Sequence, residues 1–347
     1  MTSAADAPVE TPRDAAPRVG ILIGSLEAGG AQRMALALAH DLLARGWEVR
    51  LLLLNPEREM ALPGDRAMQA ALEARLEVLG GSSVRAGTLS KALRFPRLHR
   101  RLAAAVARHR LAVVVSFMER ANLLNLLGDR SVARVISVRK QISVALDEKS
   151  ALKRALIVRA YPLLLRRAGA IVFNAQGSAA DFARRFGLAR ARLTVIPNAV
   201  DPGIRRLARS EPEGTAARLL GPRTLVAVGR LVPAKGHAPL LRAFRQVIAE
   251  VPDARLVLVG DGPLRAPLSD LGDALGISER VGFAGFQRNP YPWMARAGVV
   301  VLPSRGEGFP NALLEAMALG QACVAADCPT GPRELIAPDT PVDRVAT

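Results

Sequence analysis

The chain of 347 residues is half hydrophobic, carries only 4% aromatic side chains and has a formal net charge of +17. That length predicts two domains rather than one core, and the two cysteines, Cys323 and Cys328, fit neither a metal knuckle nor a disulfide framework and read as small buried thiols of a reduced protein. Residues 1–200 hold 31 Lys and Arg against 16 Asp and Glu, whereas residues 201–347 hold 17 against 15, so a surface that meets anions belongs to the first half.

Residues 1–17, rich in Ala, Pro and acids, lack the basic start and apolar centre of a signal peptide and are expected to be a disordered leader. Ordered structure is predicted to begin with the apolar run Val19–Ile23. A glycine loop through Gly24, Gly29 and Gly30 follows, then a helix over Ala31–Arg45 and a buried strand over Trp47–Leu54. This is a βαβ unit of a parallel sheet. Four more strands are predicted over 111–118, 133–138, 168–174 and 191–198, separated by helical stretches. The turn-rich IPNAVDPG at 196–203 breaks the alternation. It restarts with strands over 223–231, 254–263, 280–286, 297–304 and 321–327. Helices are predicted over 237–250, about 264–275 and Phe309–Leu319, the last with Pro310 in its first turn and Gly320 at its end. The expectation is an α/β chain of two doubly wound domains, residues 18–200 and 201–347, with a cleft at the carboxyl ends of both sheets.

The loops after the strands carry the candidate chemistry. In VGRLVPAKG (228–236), Gly229 lets the backbone approach a ligand closely. Arg230 and Lys235 put two cations at a strand end beside a helix N-terminus, which suits a diphosphate; local capping by Arg230 and a solvated Lys235 is the other reading. Asp261 in VGDGPLR either binds a ribose or shapes the turn with Gly262 and Pro263. In SRGEGFPNALLEAMALG (304–320), Glu315 lies among Leu313, Leu314, Ala316, Met317, Ala318 and Leu319. A carboxylate in that setting is nearly buried and requires a partner. The spacing leaves two readings open. In one, Glu315 binds ligand hydroxyls such as those of a ribose, Glu307 reaches the next group along, and the amides of Gly308–Asn311 face its oxygens. In the other, Glu315 pairs with a core arginine such as Arg230.

Taken together, GRLVPAKG, LVLVGDGPLR, VGFAGF and PSRGEGFPNALLEA, in this order, resemble the retaining glycosyltransferases of the GT-B fold, family 4, with Glu307 and Glu315 as the E-x7-E signature. GSLEAGGAQRMALALAHDLLARGWEV, SFMERANLLNLL and IPNAVDP are similar to members of that family as well, and the likeness spans residues 18 to about 336. The resemblance implies that Arg230 and Lys235 hold the donor diphosphate, that Glu315 binds the ribose, and that Glu307, with Gly229, Phe309, Pro310 and Asn311, belongs to the donor site. It implies that Gly29 and Gly30 approach the phosphates or reacting centre from the first domain. It also implies transfer with retention from a nucleotide sugar, without cofactor or metal; the sequence holds no D-x-D, and its four histidines show no ligand spacing. Some members place a histidine after the fourth strand; this chain offers Glu119 and Asn122 there as acceptor-side candidates. After GPRELIAPD the family usually continues with a further loop and helices, so a shortened C-terminus with impaired activity is expected.

The implied donor is a nucleotide sugar carrying a hexose or N-acetylhexosamine, with UDP favoured, and the implied acceptor a polysaccharide or lipid-diphosphate glycan, as in transferases that build N-acetylhexosamine-containing chains. From residue 82 to 200 there are 23 basic and 5 acidic residues. They include RFPRLHRRLAAAVARHR, with Arg94, Arg97, Arg101 and Arg108 on one face, and KSALKRALIVRAYPLLLRR. Such a surface suits anionic lipid, so a cytoplasmic protein peripheral to the membrane is expected; a solvated arginine-rich face is the other reading. No apolar run approaches the ~18 residues of a membrane span. A nucleotide-sugar 2-epimerase of the same architecture and a basic nucleic-acid-binding module are the alternatives, the latter lacking interleaved aromatics and any nucleic-acid motif.

Overall fold

The computed structural model describes residues 17–27, 29–81, 94–147 and 150–339. Residues 1–16 of the leader expected over 1–17, and the end of the chain beyond residue 339, lie outside the described residues. The chain forms two compact units, one of residues up to Val138 with Leu163–Ile171, the other of Arg139–Pro162 with the residues from Val172 onward.

A seven-stranded sheet is built from β1 (Arg18–Ile23), β2 (Glu48–Leu53), β3 (Leu76–Val78), β4 (Val113–Phe117), β5 (Ala133–Val138), β6 (Ala170–Phe173) and β7 (Leu193–Val195), in the order β3-β2-β1-β4-β5-β6-β7. Among the helices that accompany it are α1 (Gly30–Ala44), α2 (Arg66–Glu73), α3 (Phe95–Arg108), α4 (Glu119–Leu127), α5 (Ile142–Asp147), α6 (Ala151–Leu165) and α7 (Gln176–Phe186). Ile21 and Ile23 face Ala35, Leu36 and Ala39 of α1, while Leu22 between them packs with Leu98 and Leu102 of α3 and Leu124 of α4. With both faces covered, these strands read as unbroken apolar runs rather than alternating ones. Each fully buried aliphatic side chain contributes roughly 1.5–3 kcal/mol to that packing. The edge strand β3, three residues long, was not among the strands predicted from the sequence.

The second sheet is formed by β8 (Gly221–Val228), β9 (Arg255–Val259), β10 (Val281–Gly285), β11 (Ala297–Leu302) and β12 (Cys323–Ala325), in the order β10-β9-β8-β11-β12. Its strand pairs are all parallel. A short helix α8 (Ile204–Leu207) precedes it, and α9 (His237–Glu250), α10 (Arg265–Ala274), α11 (Tyr291–Ala295), α12 (Asn311–Ala318) and α13 (Pro332–Ile336) accompany it. Leu256 and Leu258 meet Leu241 and Phe244 of α9 on one face; Val257 and Val259 meet Trp293, which is fully buried, on the other.

The order reverses between β1 and β4 in the first sheet and between β8 and β11 in the second. In an open parallel sheet, ligands bind beyond the carboxyl ends of the strands at such a reversal. The loops that leave β8 and β11 are those that carry Arg230, Lys235 and Glu307.

One local expectation is corrected. The helix predicted over Phe309–Leu319 starts only at Asn311, because Pro310 is held at ψ +88°, outside the helical region. The backbone of Gly331, at φ +92°, packs against the Pro310 ring: a Cβ there would lie 2.6 Å from Pro310 Cδ. On the third helix, all four arginines of the expected face, Arg94, Arg97, Arg101 and Arg108, are exposed. Two of them also make local contacts: Arg101 donates to Leu79 O at 2.7 Å and Arg108 pairs with Glu77 at 3.1 Å.

Candidate functional site

The loop after β8 descends through a single 3-10 turn, Pro233–Lys235, and Gly236 at φ +68° redirects the chain into α9. A Cβ on Gly236 would lie 1.9 Å from Pro303 O, so only glycine lets this loop rest on the end of β11. Arg305 N donates to Ala234 O at 2.9 Å and fastens the two loops together. The consequence is the central contact of the site: Lys235 Nζ lies 2.6 Å from Glu307 Oε1, with the Glu307 side chain only 9% exposed and that of Lys235 27%. The aliphatic stem of Lys235 runs over Gly229, 3.6 Å from where a Cβ would stand.

Arg230 is exposed and makes no ion pair among the described residues, so it is not the partner of Glu315. Glu315 is 7% exposed, points from the middle of α12 and has a partner within the fold. Phe309 and Asn311 are half-buried and Pro310 is buried. The Glu307 loop is braced from behind: Thr330 Oγ1 donates to the Glu307 carbonyl, and the carbonyl of Arg139 lies 2.0 Å from where a Cβ of Gly308 would stand. Asp261 shapes its turn, accepting from Gly262 N at 2.7 Å through its side chain and from Leu231 N at 2.9 Å through its carbonyl.

In the first sheet, Gly29 adopts extended backbone at the start of α1, and Gly30 is the first residue of that helix; both are exposed. Glu119 is exposed at the start of α4. Asn122 is 2% exposed, accepts from Ser116 Oγ at 2.8 Å and donates to Ser137 O at 2.9 Å. Both its polar atoms thus tie β4 to β5, which is a structural use of the residue that the sequence offered for the acceptor side.

Several residues near these loops carry no signal in the local sequence pattern. Met118, at the carboxyl end of β4, has φ +75°, which is rare for a non-glycine residue and stores backbone strain at the reversal of the first sheet. His237, 3% exposed, is held neutral: burial and the Lys235 charge push its pKa down to about 4. Cys328 is pushed up to about 11 by burial and by the charge of Glu307. Glu334 caps α7 with both carboxylate oxygens, accepting from Gln176 N at 2.6 Å and Gly177 N at 2.9 Å. No group of three or more His, Cys, Asp and Glu side chains is arranged to hold a metal ion among the described residues.

The basic half has one further feature. Leu152 and Leu156 of α6 are 82% and 67% exposed. At ~100° per residue they lie roughly 40° apart on one stripe, with Arg159 beside it. Lys153 and Arg159 are exposed on the same helix. No helix among the described residues is long and apolar enough to cross a membrane.

Comparisons with known proteins bear on the whole arrangement. Residues 28–203 match the family model described as Glycosyltransferase Family 4, and residues 222–344 match Glycosyl transferases group 1. The chain is 28% identical over 328 residues to an N-acetylgalactosamine-N,N'-diacetylbacillosaminyl-diphospho-undecaprenol 4-alpha-N-acetylgalactosaminyltransferase of Campylobacter jejuni, covering 93% of this chain and 84% of the relative. It superimposes on the Anabaena protein HepE, solved in complex with UDP, with a TM-score of 0.67 at 21% identity, over 90% of this chain and 81% of that one. A sucrose-phosphate synthase of Thermosynechococcus elongatus gives a TM-score of 0.69 at 19% identity, over 91% and 82%. The two parallel sheets and these neighbours are those of the GT-B fold. A model that matches half of the chain, joined to a second over most of the remainder, makes this protein a glycosyltransferase, and it belongs to glycosyltransferase family 4.

Proposed function

We propose that the protein transfers a hexose or N-acetylhexosamine from a UDP-sugar to a lipid-linked or polysaccharide glycan, with retention of configuration and without a metal ion. The observation that carries this reading is the Lys235–Glu307 pair at the reversal of the second sheet. A cation and a nearly buried carboxylate stand side by side where a sugar–phosphate bond would break. As that bond lengthens, negative charge grows on the departing diphosphate and positive charge on the sugar. Lys235, with the exposed Arg230, faces the first; Glu307 faces the second. Fixed cations would then supply the electrostatic role that a divalent ion plays elsewhere. Glu315 serves the ribose, and the N-terminal turn of α12 presents amides to donor oxygens.

The acceptor class and donor rest on the names of the relatives. The Campylobacter protein is named for a diphospho-undecaprenol acceptor, and HepE was crystallised with UDP. The outward leucine stripe of α6 with its flanking cations fits an anionic membrane surface, where a lipid-linked acceptor resides. This surface supports a position on the inner face of the plasma membrane as part of the proposal. The test is a thermal-shift panel of nucleotide sugars followed by product mass analysis with a lipid-diphosphate glycan. Stabilisation by UDP-sugars and a product one sugar heavier are expected. No response to any nucleotide sugar, or a free epimerised nucleotide sugar as sole product, would overturn the reading.

A further inference from the structure

Three side chains distant in sequence form one polar chain behind the donor loop. Arg139 follows β5 directly, Asn198 lies in the turn after β7, and Asn311 opens α12. Arg139 Nη2 donates to Asn198 Oδ1 at 2.5 Å, and Asn198 Nδ2 donates to Asn311 Oδ1 at 2.5 Å.

The direction of this chain is forced by chemistry. A primary amide can be turned over at little steric cost, since its O and N are nearly the same size. A guanidinium carries donors only, and Arg139, though burial lowers its pKa to about 10, remains charged at neutral pH. It therefore obliges Asn198 to turn its oxygen toward it. The Asn198 NH2 then faces Asn311 and obliges that residue to offer its oxygen in turn. What remains of the Asn311 amide is its NH2, which can only donate. It stands at the start of α12, where the leading backbone N–H groups also lack intrahelical acceptors and the helix dipole is positive, whereas Leu313 N already donates to Pro310 O at 3.0 Å. The same residue sets the loop as well, because the backbone of Gly308 rests against the Arg139 carbonyl.

We propose that Arg139 and Asn198 are positioning residues for the donor site: they lock the Asn311 amide with its NH2 outward, so that the start of α12 presents only hydrogen-bond donors to the oxygens of a nucleoside diphosphate-sugar. The inference rests on the donor-site reading above. Asn198, in IPNAVDP, is given a role that no local pattern assigned to it.

Two isosteric substitutions separate orientation from packing. Asn198→Asp keeps shape and strengthens the contact with Arg139, but it has no donor for Asn311, whose amide must turn over and present its oxygen outward. Asn311→Asp keeps the acceptor for Asn198 but replaces the outward NH2 by an anionic oxygen. Titration calorimetry with UDP, GDP and ADP on the full chain is run beside steady-state kinetics and melting curves. The nucleoside diphosphate that binds the unaltered protein should bind each variant on the order of tenfold more weakly or worse. Donor KM should rise with kcat less affected, and the melting temperature should stay near that of the unaltered protein. Arg139→Lys, still donor-only, should bind within threefold, and Arg139→Gln, which can face either way, should not. The Arg139 pair supplies the same comparison if Asn198→Asp fails to fold. Unchanged affinity in Asn198→Asp, or equal affinity in Arg139→Lys and Arg139→Gln, would overturn the proposal. Failure of the unaltered protein to bind any of the three nucleotides would instead remove the donor-site reading on which it rests.

Discussion

Lys235 Nζ and Glu307 Oε1 lie 2.6 Å apart although 72 residues of chain separate them. The two charges proposed to part with the leaving phosphate and the departing sugar thus hold each other until a donor enters. Removing one strands the other, and the cost follows burial. Lys235→Met leaves a carboxylate only 9% exposed, whereas Glu307→Gln leaves an ammonium, 27% exposed, that can still reach water. Lys235→Met should therefore be the more destabilising of the two in urea melts. The double variant should be more stable than the sum of the singles predicts, by about 1 kcal/mol or more. Strict additivity would mean that the pair is no energetic unit.

Glu307 and Glu315 should fail differently in kinetics. In the proposed reading Glu315 serves a ribose, which scarcely changes during reaction, so Glu315→Gln should raise donor KM and weaken nucleotide binding with a smaller loss in kcat. In the same reading Glu307 faces charge that develops only as the bond breaks. Glu307→Gln should lower kcat on the order of 10²-fold and leave nucleotide affinity nearly intact. Calorimetry beside steady-state rates decides; loss of nucleotide binding in Glu307→Gln alone would reverse the two roles.

Metal should be dispensable. Transfer measured in EDTA is expected to equal transfer in Mg²⁺ or Mn²⁺. Abolition by EDTA with recovery on adding either ion would refute the assignment of the cationic role to Arg230 and Lys235.

His237 should make the protein acid-sensitive. Its folded pKa, about 4, lies below the ordinary 6.5, so between these values the unfolded chain binds a proton that the folded chain does not. Its contribution is complete above about pH 6.5 and is lost as pH falls toward 4, a swing of roughly 3 kcal/mol. His237→Phe should flatten the fall in unfolding free energy across that window. Parallel pH profiles for the two proteins would show that His237 titrates normally.

The leucine stripe should govern membrane binding. The protein should float with vesicles rich in anionic lipid and much less with neutral ones. Leu152→Ser with Leu156→Ser should weaken flotation several-fold while donor turnover onto a soluble acceptor is kept. Equal flotation with neutral and anionic vesicles would count against the cationic surface.

Much of the fold was legible because its causes are local. Strands covered on both faces leave unbroken apolar runs, and the helix predicted over 237–250 occupies those residues. Turn residues marked where β8, β9 and β11 end, and hence which loops carry the polar groups. The three-residue β3 was too short to leave a pattern, and Pro310 looked helical until the contact with Gly331 held it outside α12.

Composition, the alternation of strands and helices, and the residue types at strand ends were determined by the sequence itself. Partners were not. The sequence left Lys235 solvated or on a diphosphate, Glu315 on a ligand or on Arg230, and Asn122 on the acceptor side. The tertiary structure pairs Lys235 with Glu307, leaves Arg230 exposed and consumes Asn122 between β4 and β5. Hydrophobic periodicity depends on neighbours a few residues away, whereas an ion pair or an amide chain depends on which strand ends are adjacent. That adjacency comes from the parallel order of the second sheet, which sets β8 beside β11 and so brings residue 235 to residue 307.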